Sequence, residues 1–172
     1  MMTGIELRSL GEPDFDTLII LARRIWVPHY TPLVGLGTVE HILSLRLTHE
    51  NLRRYIGAND RGMELLWDGE SAVGYCSYAV HGNELKLEQL YLLPEYQGRG
   101  LGRQMMDHVE ARARGYGCAV IFLQVYKGNA QAGSVYAKAG YTLREAVVID
   151  IGGGFVMDDY ILEKRLAETD RA

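Results

Sequence analysis

LYLLPEYQGRGLGR, residues 90–103, combines an apolar strand, a glycine-rich turn and the start of a helix. Leu90 to Leu93 are bulky residues that suit a buried strand, and Pro94 stops that strand because it cannot donate a ladder hydrogen bond. The apolar residues that follow recur every four positions, at Leu101, Met105, Val109 and Ala113. That period predicts a helix from Leu101.

Three glycines, Gly98, Gly100 and Gly102, lie where this helix would begin. Glycine costs about 1 kcal/mol relative to alanine in a helix, but without a Cβ it lets an anion approach the backbone. Unpaired N–H groups at a helix N-terminus then bind that anion, which predicts a phosphate ligand. A GxGxxG fingerprint would need glycine at Arg103 or Met105, and no GxxxxGK[ST] occurs, so neither dinucleotide nor P-loop NTPase binding fits.

The loop satisfies [QR]xxGx[GA] with Gln97, Gly100 and Gly102. In this it resembles the pyrophosphate-binding loop of the GNAT superfamily of acetyl-CoA-dependent N-acetyltransferases. Taken alone, the motif also fits a glycine-rich strand-to-helix turn that binds no ligand.

A second motif lies in NAQAGSVYAKAGY, residues 129–141. Helical spacing groups Tyr136 with apolar neighbours, which on its own predicts a core aromatic residue. The segment also resembles the NxxAxxxYxxxGF pattern that follows the loop in GNAT proteins, with tyrosine as the final aromatic residue. The positions that fill it are Asn129, Ala132, Tyr136, Gly140 and Tyr141. Two motifs in the right order identify the chain as similar to this family from about Ile5 to Leu166.

The resemblance implies an α/β (α+β) fold, the GNAT acyl-CoA N-acyltransferase fold. Its central sheet is mixed, mostly antiparallel and splayed in the middle, with about six to seven strands and about four helices. The splay lies between the strand that ends at the glycine loop and the strand Val120 to Val125. Within the superfamily the chain looks most like bacterial spermidine/spermine (polyamine) acetyltransferases.

Length and composition predict one domain, because 172 residues that are 48% hydrophobic can bury a single core. We expect a GNAT domain over 1–172, with an N-terminal strand and substrate-lid helices in 1–60. The central sheet and pyrophosphate loop-helix would occupy 61–128, and the acid-bearing helix with the last strands 129–172. The net charge of −4 argues against a nucleic-acid partner.

Two cysteines, Cys76 and Cys118, match no metal spacing and are too few for a disulfide scaffold, so we interpret both as core residues. The histidines likewise lack a metal-ligand spacing, and no metal is predicted. The N-terminus shows no basic segment followed by an apolar run, and no stretch is long enough for a membrane span. We therefore expect a cytoplasmic protein with no membrane partner.

Local patterns predict the N-terminal elements. A strand over Ile5 to Leu10 precedes a helix over Glu12 to Val27, and the proline and glycines of His29 to Gly37 predict a loop that could move. Thr38 is the predicted N-cap of the next helix, and a further helical stretch spans His49 to Ile56.

The remaining expected elements follow in chain order. They are strands over Met63 to Trp67, Ala72 to Val80, Leu85 to Leu93 and Val120 to Val125, helices over Leu101 to Tyr116 and from Asn129 to about Ala139, strands over Tyr141 to Ile149 and Phe155 to Lys164, and a charged tail over Arg165 to Ala172.

The resemblance also implies cofactor contacts. Leu90 and Leu92 would present main-chain groups to the pantetheine and to the thioester oxygen of acetyl-CoA. Asn129 would also contact the cofactor. The pyrophosphate would be held by Gln97, Gly98, Arg99, Gly100, Leu101, Gly102 and Arg103. The arginine side chains could add charge-assisted bonds or be solvated surface.

The reaction that the resemblance implies needs a base, because an alkylammonium has a pKa of about 10 and must lose its proton before it attacks a thioester. Backbone N–H groups must stabilise the oxyanion, and an acid must protonate the thiolate. Tyr136 is the predicted acid, since its phenol and an alkyl thiol have similar pKa values. Glu88 is the predicted base, and strand alternation places it on one face with Lys86, Leu90 and Leu92 unless a bulge intervenes.

Other assignments of the base remain open at this point. Glu88 could be a solvated strand residue paired with Lys86. Asp158, Asp159 or water alone could take the proton instead.

Three functions fit the pattern. The first is acetylation of a primary amine on a small molecule, with a polyamine as one acceptor that the resemblance implies. The second is acetylation of a protein N-terminus or lysine, and the third is an acyl-CoA-binding regulatory module without turnover. A polyamine site should carry excess carboxylates, yet acidic and basic residues balance across Glu12 to Ile56. A homodimer is expected by resemblance alone.

Overall fold

A computed structural model of the chain describes residues 4–168. Seven strands form one mixed sheet in the order β1-β2-β3-β4-β5-β7-β6. The strands are β1 (Ile5–Ser9), β2 (Arg61–Asp68), β3 (Ser71–His81), β4 (Glu84–Leu92), β5 (Val120–Tyr126), β6 (Thr142–Gly152) and β7 (Phe155–Arg165). The helices are α1 (Phe15–Val34), α2 (Leu36–Arg46), α3 (His49–Arg53), α4 (Leu101–Gly115) and α5 (Ala130–Lys138). This confirms the predicted fold class.

The residues divide into two compact units. The first comprises Met1–Ser77 and Gln89–Met105, and the second comprises Tyr78–Glu88 and Met106–Ala172. The expected charged tail begins inside β7, and its end, 169–172, lies outside the described residues.

In the first unit, β1 pairs with β2 antiparallel from Ile5↔Asp68 to Ser9↔Glu64. Helix α1 follows a short turn in which the Asp14 carboxylate accepts a hydrogen bond from the Gly11 N–H at 3.1 Å. The buried residues of α1 recur at helical spacing and supply much of this unit's core: Phe15, Leu18, Leu21, Ala22, Ile25, Trp26 and Tyr30.

Helix α1 continues to Val34, so the predicted loop over His29 to Gly37 is wrong for most of its length. Pro28 and Pro32 lie inside the helix and are exposed, so water can satisfy the carbonyls that their missing N–H groups would have bonded. On the opposite side Tyr30 is buried. Burial of this face holds the helix through residues that favour a break locally.

The start of α2 also differs from the prediction. Gly35, with φ of 85°, lies between the two helices, and α2 begins at Leu36 rather than after Thr38. The real side-chain cap in this region is Thr48, whose Oγ1 accepts a hydrogen bond from Asn51 N at 3.1 Å at the start of α3. Gly35 ends α1 with a positive φ, and α2 starts directly after it, before the predicted N-cap Thr38.

In the second unit, β5 pairs antiparallel with β7 from Val120↔Arg165 to Tyr126↔Asp159, and β6 pairs antiparallel with β7. Strand β4 pairs with β5 in parallel over three residues, Glu84–Lys86 with Val120–Phe122, at the start of both strands. Leu85, Leu87, Ile121 and Leu123 are almost completely buried and form the core here.

A charged network ties these strands together. The Arg144 guanidinium donates to Glu84 Oε1 at 2.7 Å and to Glu163 Oε2 at 2.9 Å, and it lies 5.1 Å from the centre of the Phe122 ring. The two carboxylates raise the pKa of Arg144. All three charged side chains are about one quarter exposed, so the network is partly shielded from water.

Candidate functional site

The glycine loop has the predicted strand, loop and helix order. Strand β4 ends at Leu92, a short 3-10 turn spans Pro94–Tyr96, and α4 starts at Leu101. Gly98 and Gly100 have φ of 75° and 78°. Gln104 N donates to Gly100 O at 3.1 Å, so the N–H groups of Leu101 to Arg103 precede the first intrahelical donor. These groups are available to an anion at the helix N-terminus.

The glycines are required by backbone conformation rather than by crowding within the chain. A Cβ built on Gly98 or Gly100 meets nothing within 4 Å, but positive φ strains any L side chain there. Gly102 has no positive φ, and its added Cβ would lie 3.7 Å from Leu92 Cδ1, an ordinary contact. The space above the loop is therefore open, as close approach of a phosphate needs.

Polar side chains support the loop. Gln97 Nε2 donates to Leu92 O at 3.4 Å and links the loop to the end of β4. The Tyr96 hydroxyl donates to Asp68 Oδ2 at 2.9 Å, a bond that raises the pKa of Tyr96. The guanidinium of Arg99 lies 4.9 Å from the centre of the Tyr96 ring, beside the glycines. The loop therefore carries a positive charge that suits a pyrophosphate.

The pattern of burial along β4 changes near Leu90. Leu85, Leu87 and Gln89 are buried, but the next buried residue is Leu92. Tyr91 contacts Tyr75, as Gln89 does, so the alternation continues to Tyr91. That Leu92 shares a face with Glu88 and Leu90 stays a prediction. Across from this point a Cβ on Gly74 would come within 2.7 Å of Tyr91 O. Only glycine allows β3 to approach β4 this closely.

The second motif builds helix α5. Asn129 is buried and caps the helix, since its Oδ1 accepts from Ala132 N at 3.4 Å. Gly140, with φ of 97°, ends the helix, and Tyr141 N donates to Tyr136 O at 3.0 Å. The Tyr136 ring meets buried Tyr141 edge to face at 5.6 Å. Burial raises the pKa of Tyr141, whereas Tyr136 is only half-buried and is not the core residue that the helical spacing predicted.

The proposed acids and bases lie on different elements of the second unit. Glu88 is half-buried near the middle of β4. Asp158, an alternative base, forms an ion pair with Lys127 at 2.6 Å, and this contact raises the pKa of Lys127. Asp159 is buried on β7 opposite Tyr126. Asp158 is therefore already paired with a lysine.

Sequence reasoning missed an aromatic cluster in the first unit, formed by Trp26, Tyr30, Tyr75 and Tyr91. Trp26 Nε1 donates to the Tyr75 hydroxyl at 3.0 Å, and Tyr75 donates to Gln89 Oε1 at 3.0 Å. The Tyr30 and Tyr91 hydroxyls lie 3.1 Å apart. Burial is the largest of the effects that raise the pKa values of Tyr75 and Tyr91.

One local signal could have indicated this cluster. Trp26 and Tyr30 are four residues apart and so share a helix face, and Gln89 and Tyr91 alternate along β4. The predicted loop at His29 to Gly37 separated Tyr30 from Trp26 and hid the pattern.

Fold and loop define an acyl-CoA-dependent N-acetyltransferase. The acetyltransferase (GNAT) family profile matches residues 30–141, and the chain belongs to this family. It is a GNAT-family N-acetyltransferase, and acetyl-CoA is the acyl donor of the family.

Similar proteins span almost the whole chain. Spermidine N(1)-acetyltransferase of Thermoplasma acidophilum is 27% identical over 166 residues, 94% of this chain and 98% of its own. The structure of PaiA N-acetyltransferase from Thermoplasma acidophilum with coenzyme A superposes with a TM-score of 0.81 at 24% identity, covering 95% and 99% of the two chains. A GCN5-related N-acetyltransferase from Rhodopseudomonas palustris superposes with a TM-score of 0.77 at 18% identity, covering 96% and 98%.

Between residues 4 and 168, no group of three or more His, Cys, Asp or Glu side chains is arranged to hold a metal ion. None of the helices in that range is long and apolar enough to cross a membrane.

Proposed function

We propose that the chain is a cytoplasmic enzyme that acetylates a primary amine on a small molecule. The observation that carries this proposal is helix α5: Asn129 caps the helix, and the half-buried Tyr136 meets the ring of Tyr141 on the acid-bearing motif. A purely structural tyrosine at this spacing would be expected in the core. Free Cys76 and Cys118 are typical of a reducing compartment and support the proposed location.

Residues of the loop and of β4 would hold acetyl-CoA. The N-terminus of α4 and the guanidinium of Arg99 suit the pyrophosphate, and main-chain groups of Leu90 and Leu92 suit the pantetheine. When bound, acetyl-CoA supplies an activated acetyl thioester. The full set we assign to cofactor binding is Leu90, Leu92, Gln97, Gly98, Arg99, Gly100, Leu101, Gly102, Arg103 and Asn129.

Two side chains would move protons. Glu88 takes the proton from the incoming ammonium, directly or through water, so that the neutral amine can attack. Tyr136 donates a proton to the departing sulfur, and its phenol suits this step because alkyl thiols and phenols have comparable pKa values. The carbon–nitrogen bond forms as the carbon–sulfur bond breaks. The nitrogen then loses its second proton to the Tyr136 phenolate, which restores the phenol, and the products are a neutral amide and a thiol while Glu88 holds the proton of the original ammonium.

A polyamine is the first acceptor class to test, because the relative from Thermoplasma acidophilum is named as a spermidine acetyltransferase. Protein acetylation and cofactor binding without turnover are the alternatives. The homodimer stays a prediction without an assigned interface.

The test is release of free thiol from acetyl-CoA with polyamines, amino acids, aminoglycosides and short peptides as acceptors. We compare wild type with Glu88→Gln and Tyr136→Phe. The matched controls are Glu70→Gln, at an exposed turn position, and Tyr160→Phe, on β7. Acetyl-CoA binding is measured by calorimetry in every variant, which separates lost chemistry from lost binding.

We expect both site variants to lose about 100-fold or more in kcat at neutral pH while acetyl-CoA still binds. Both controls should retain wild-type kcat. Turnover of peptides alone would move the assignment to a protein acetyltransferase. Tight cofactor binding without turnover of any acceptor would contradict enzymatic function, and full activity of Glu88→Gln would remove Glu88 as the base.

A further inference from the structure

Several charged residues in the segment Glu12 to Ile56 form ion pairs or charged hydrogen bonds. Its carboxylates are largely occupied: Glu40 by Arg23 at 2.6 Å, Glu12 by Arg53 at 3.1 Å and Asp16 by His49 at 2.9 Å. Arg24 pairs with Glu95 at 3.0 Å. The balance of charge counted in the sequence is therefore in large part a balance of paired side chains, and Glu50 is the exposed carboxylate of this segment that forms no ion pair within residues 4–168.

Arg46 and Arg54 are the arginines of this segment without an ion pair within residues 4–168, and of the two Arg46 lies over an aromatic ring. It is the last residue of α2, it is exposed, and it forms no ion pair within residues 4–168. Its guanidinium instead lies 5.7 Å from the centre of the Trp26 ring. Trp26 is 4% exposed, so the Arg46 guanidinium packs against a ring that is fixed by burial.

Trp26 connects Arg46 to the rest of the aromatic cluster. Its ring centre lies 4.6 Å from that of Tyr30 and 5.2 Å from that of Tyr91. The positive charge of Arg46 favours the ionised phenols of Tyr75 and Tyr91, although burial outweighs it and raises both pKa values. The Arg46 guanidinium and the rings of Tyr30 and Tyr91 thus all lie around the Trp26 ring.

We infer that the acetyl acceptor is an amine that also carries a carboxylate, and that Arg46 binds this carboxylate beside Trp26, Tyr30 and Tyr91. Guanidinium groups bind carboxylates through two parallel N–H donors, and phenol hydroxyls donate to the same kind of oxygen. The inference rests on the proposed function and narrows its substrate to amino-acid-like amines. A polyamine would meet an unneutralised positive charge at this position.

A purely structural role would also explain an arginine at the end of α2. A cation in the last turn of a helix interacts favourably with the helix dipole, and stacking on tryptophan adds to this. On that account Arg46 contributes to stability and has no effect on the choice of acceptor, so acceptor preference distinguishes the two.

The first experiment uses acceptor pairs that differ only in a carboxylate: lysine and cadaverine, ornithine and putrescine, phenylalanine and phenethylamine. Thiol release gives kcat/KM for wild type, Arg46→Gln and Arg46→Lys. Arg54→Gln is the matched control, since Arg54 is an exposed arginine of the same segment that acts on Asp60 instead.

We expect wild type to prefer the carboxylate-bearing member of at least one pair. Arg46→Gln should lower its kcat/KM by about 10- to 100-fold, mainly through KM, the size of a lost charge-assisted hydrogen bond. The decarboxylated partner should be unaffected, Arg46→Lys should recover part of the loss, and Arg54→Gln should behave as wild type.

A second readout does not depend on turnover. In a Trp67→Phe background Trp26 is the sole tryptophan, so its fluorescence reports ligands that contact Arg46. Titration with Nε-acetyl-lysine and N-acetyl-cadaverine should give saturable quenching with the first ligand only, and Arg46→Gln should abolish it.

Each outcome separates the inference from the proposed function. Preference for cadaverine and putrescine, or unchanged acceptor preference in Arg46→Gln, overturns the carboxylate inference and leaves the small-molecule acetyltransferase in place. Carboxylate-dependent quenching without thiol release from any acceptor supports the binding site and contradicts the proposed reaction. Absence of both signals overturns both.

Discussion

The Tyr75 hydroxyl is the central link of a buried polar chain, and its removal offers a direct test of the structure. Tyr75 is fully buried; its oxygen accepts from Trp26 Nε1 and donates to Gln89 Oε1, both at 3.0 Å. The chain continues from Gln89 Nε2 to Ser77 Oγ at 3.3 Å. Tyr75→Phe removes one atom and leaves two buried polar groups without this partner.

The size of the effect follows from those two groups. Each buried donor or acceptor that loses its partner destabilises the fold by about 1–3 kcal/mol. Trp26 and Gln89 are 4% and 7% exposed, so water reaches neither group easily. We expect Tyr75→Phe to lower the free energy of unfolding by about 2–4 kcal/mol. For a chain of this length that corresponds to a fall in Tm of about 5–15 °C.

Urea unfolding followed by circular dichroism measures this change. The matched control is Tyr96→Phe, which removes a hydroxyl that is bonded to Asp68 at 2.9 Å but lies near the surface, where water can replace it. We expect the control to lose clearly less stability than Tyr75→Phe. A Tyr75→Phe protein within about 0.5 kcal/mol of wild type would refute the buried chain and the α1 path that places Trp26 in it.

Three further changes have defined outcomes. Gly100→Ala should strain a backbone with φ of 78° by about 1–2 kcal/mol and weaken acetyl-CoA binding measured by calorimetry, since the loop must shift. Arg144→Gln should lower the free energy of unfolding in urea by about 1–3 kcal/mol, because it leaves two partly buried carboxylates facing each other. Burial raises the pKa values of Cys76 and Cys118, so both thiols should react slowly with Ellman's reagent at pH 8 and faster as the pH rises.

Each of these has a control. Gly115→Ala adds the same methyl group at a helical position with open space and no positive φ, and should leave acetyl-CoA binding unchanged. Arg23→Gln breaks an exposed ion pair and should leave stability close to that of wild type; equal losses in it and in Arg144→Gln would contradict the network. Rapid modification of Cys76 in native protein, at the rate seen in urea, would contradict its burial.

The sequence by itself determined the strand, glycine loop and helix of residues 90–103, because each feature there has a local cause. Pro94 ends the ladder, the glycines permit positive φ, and the four-residue period from Leu101 continues as α4. The motif at 129–141 was equally local, since Asn129 caps α5 and Gly140 ends it within one short helix. Family membership followed from these two segments.

Only the tertiary structure decided the course of α1 and the contacts of the segment Glu12 to Ile56. Pro28 and Pro32 favour a break locally, but burial of Tyr30 stabilises the helix to Val34. The pairing of Trp26 with Tyr75 joins residues 49 positions apart, and no periodicity along the chain predicts such a partner. Local steric rules act over a few residues, whereas packing and buried hydrogen bonds depend on which distant segments meet. The contact between Arg46 and Trp26 has the same origin, because it joins residues twenty positions apart on different helices.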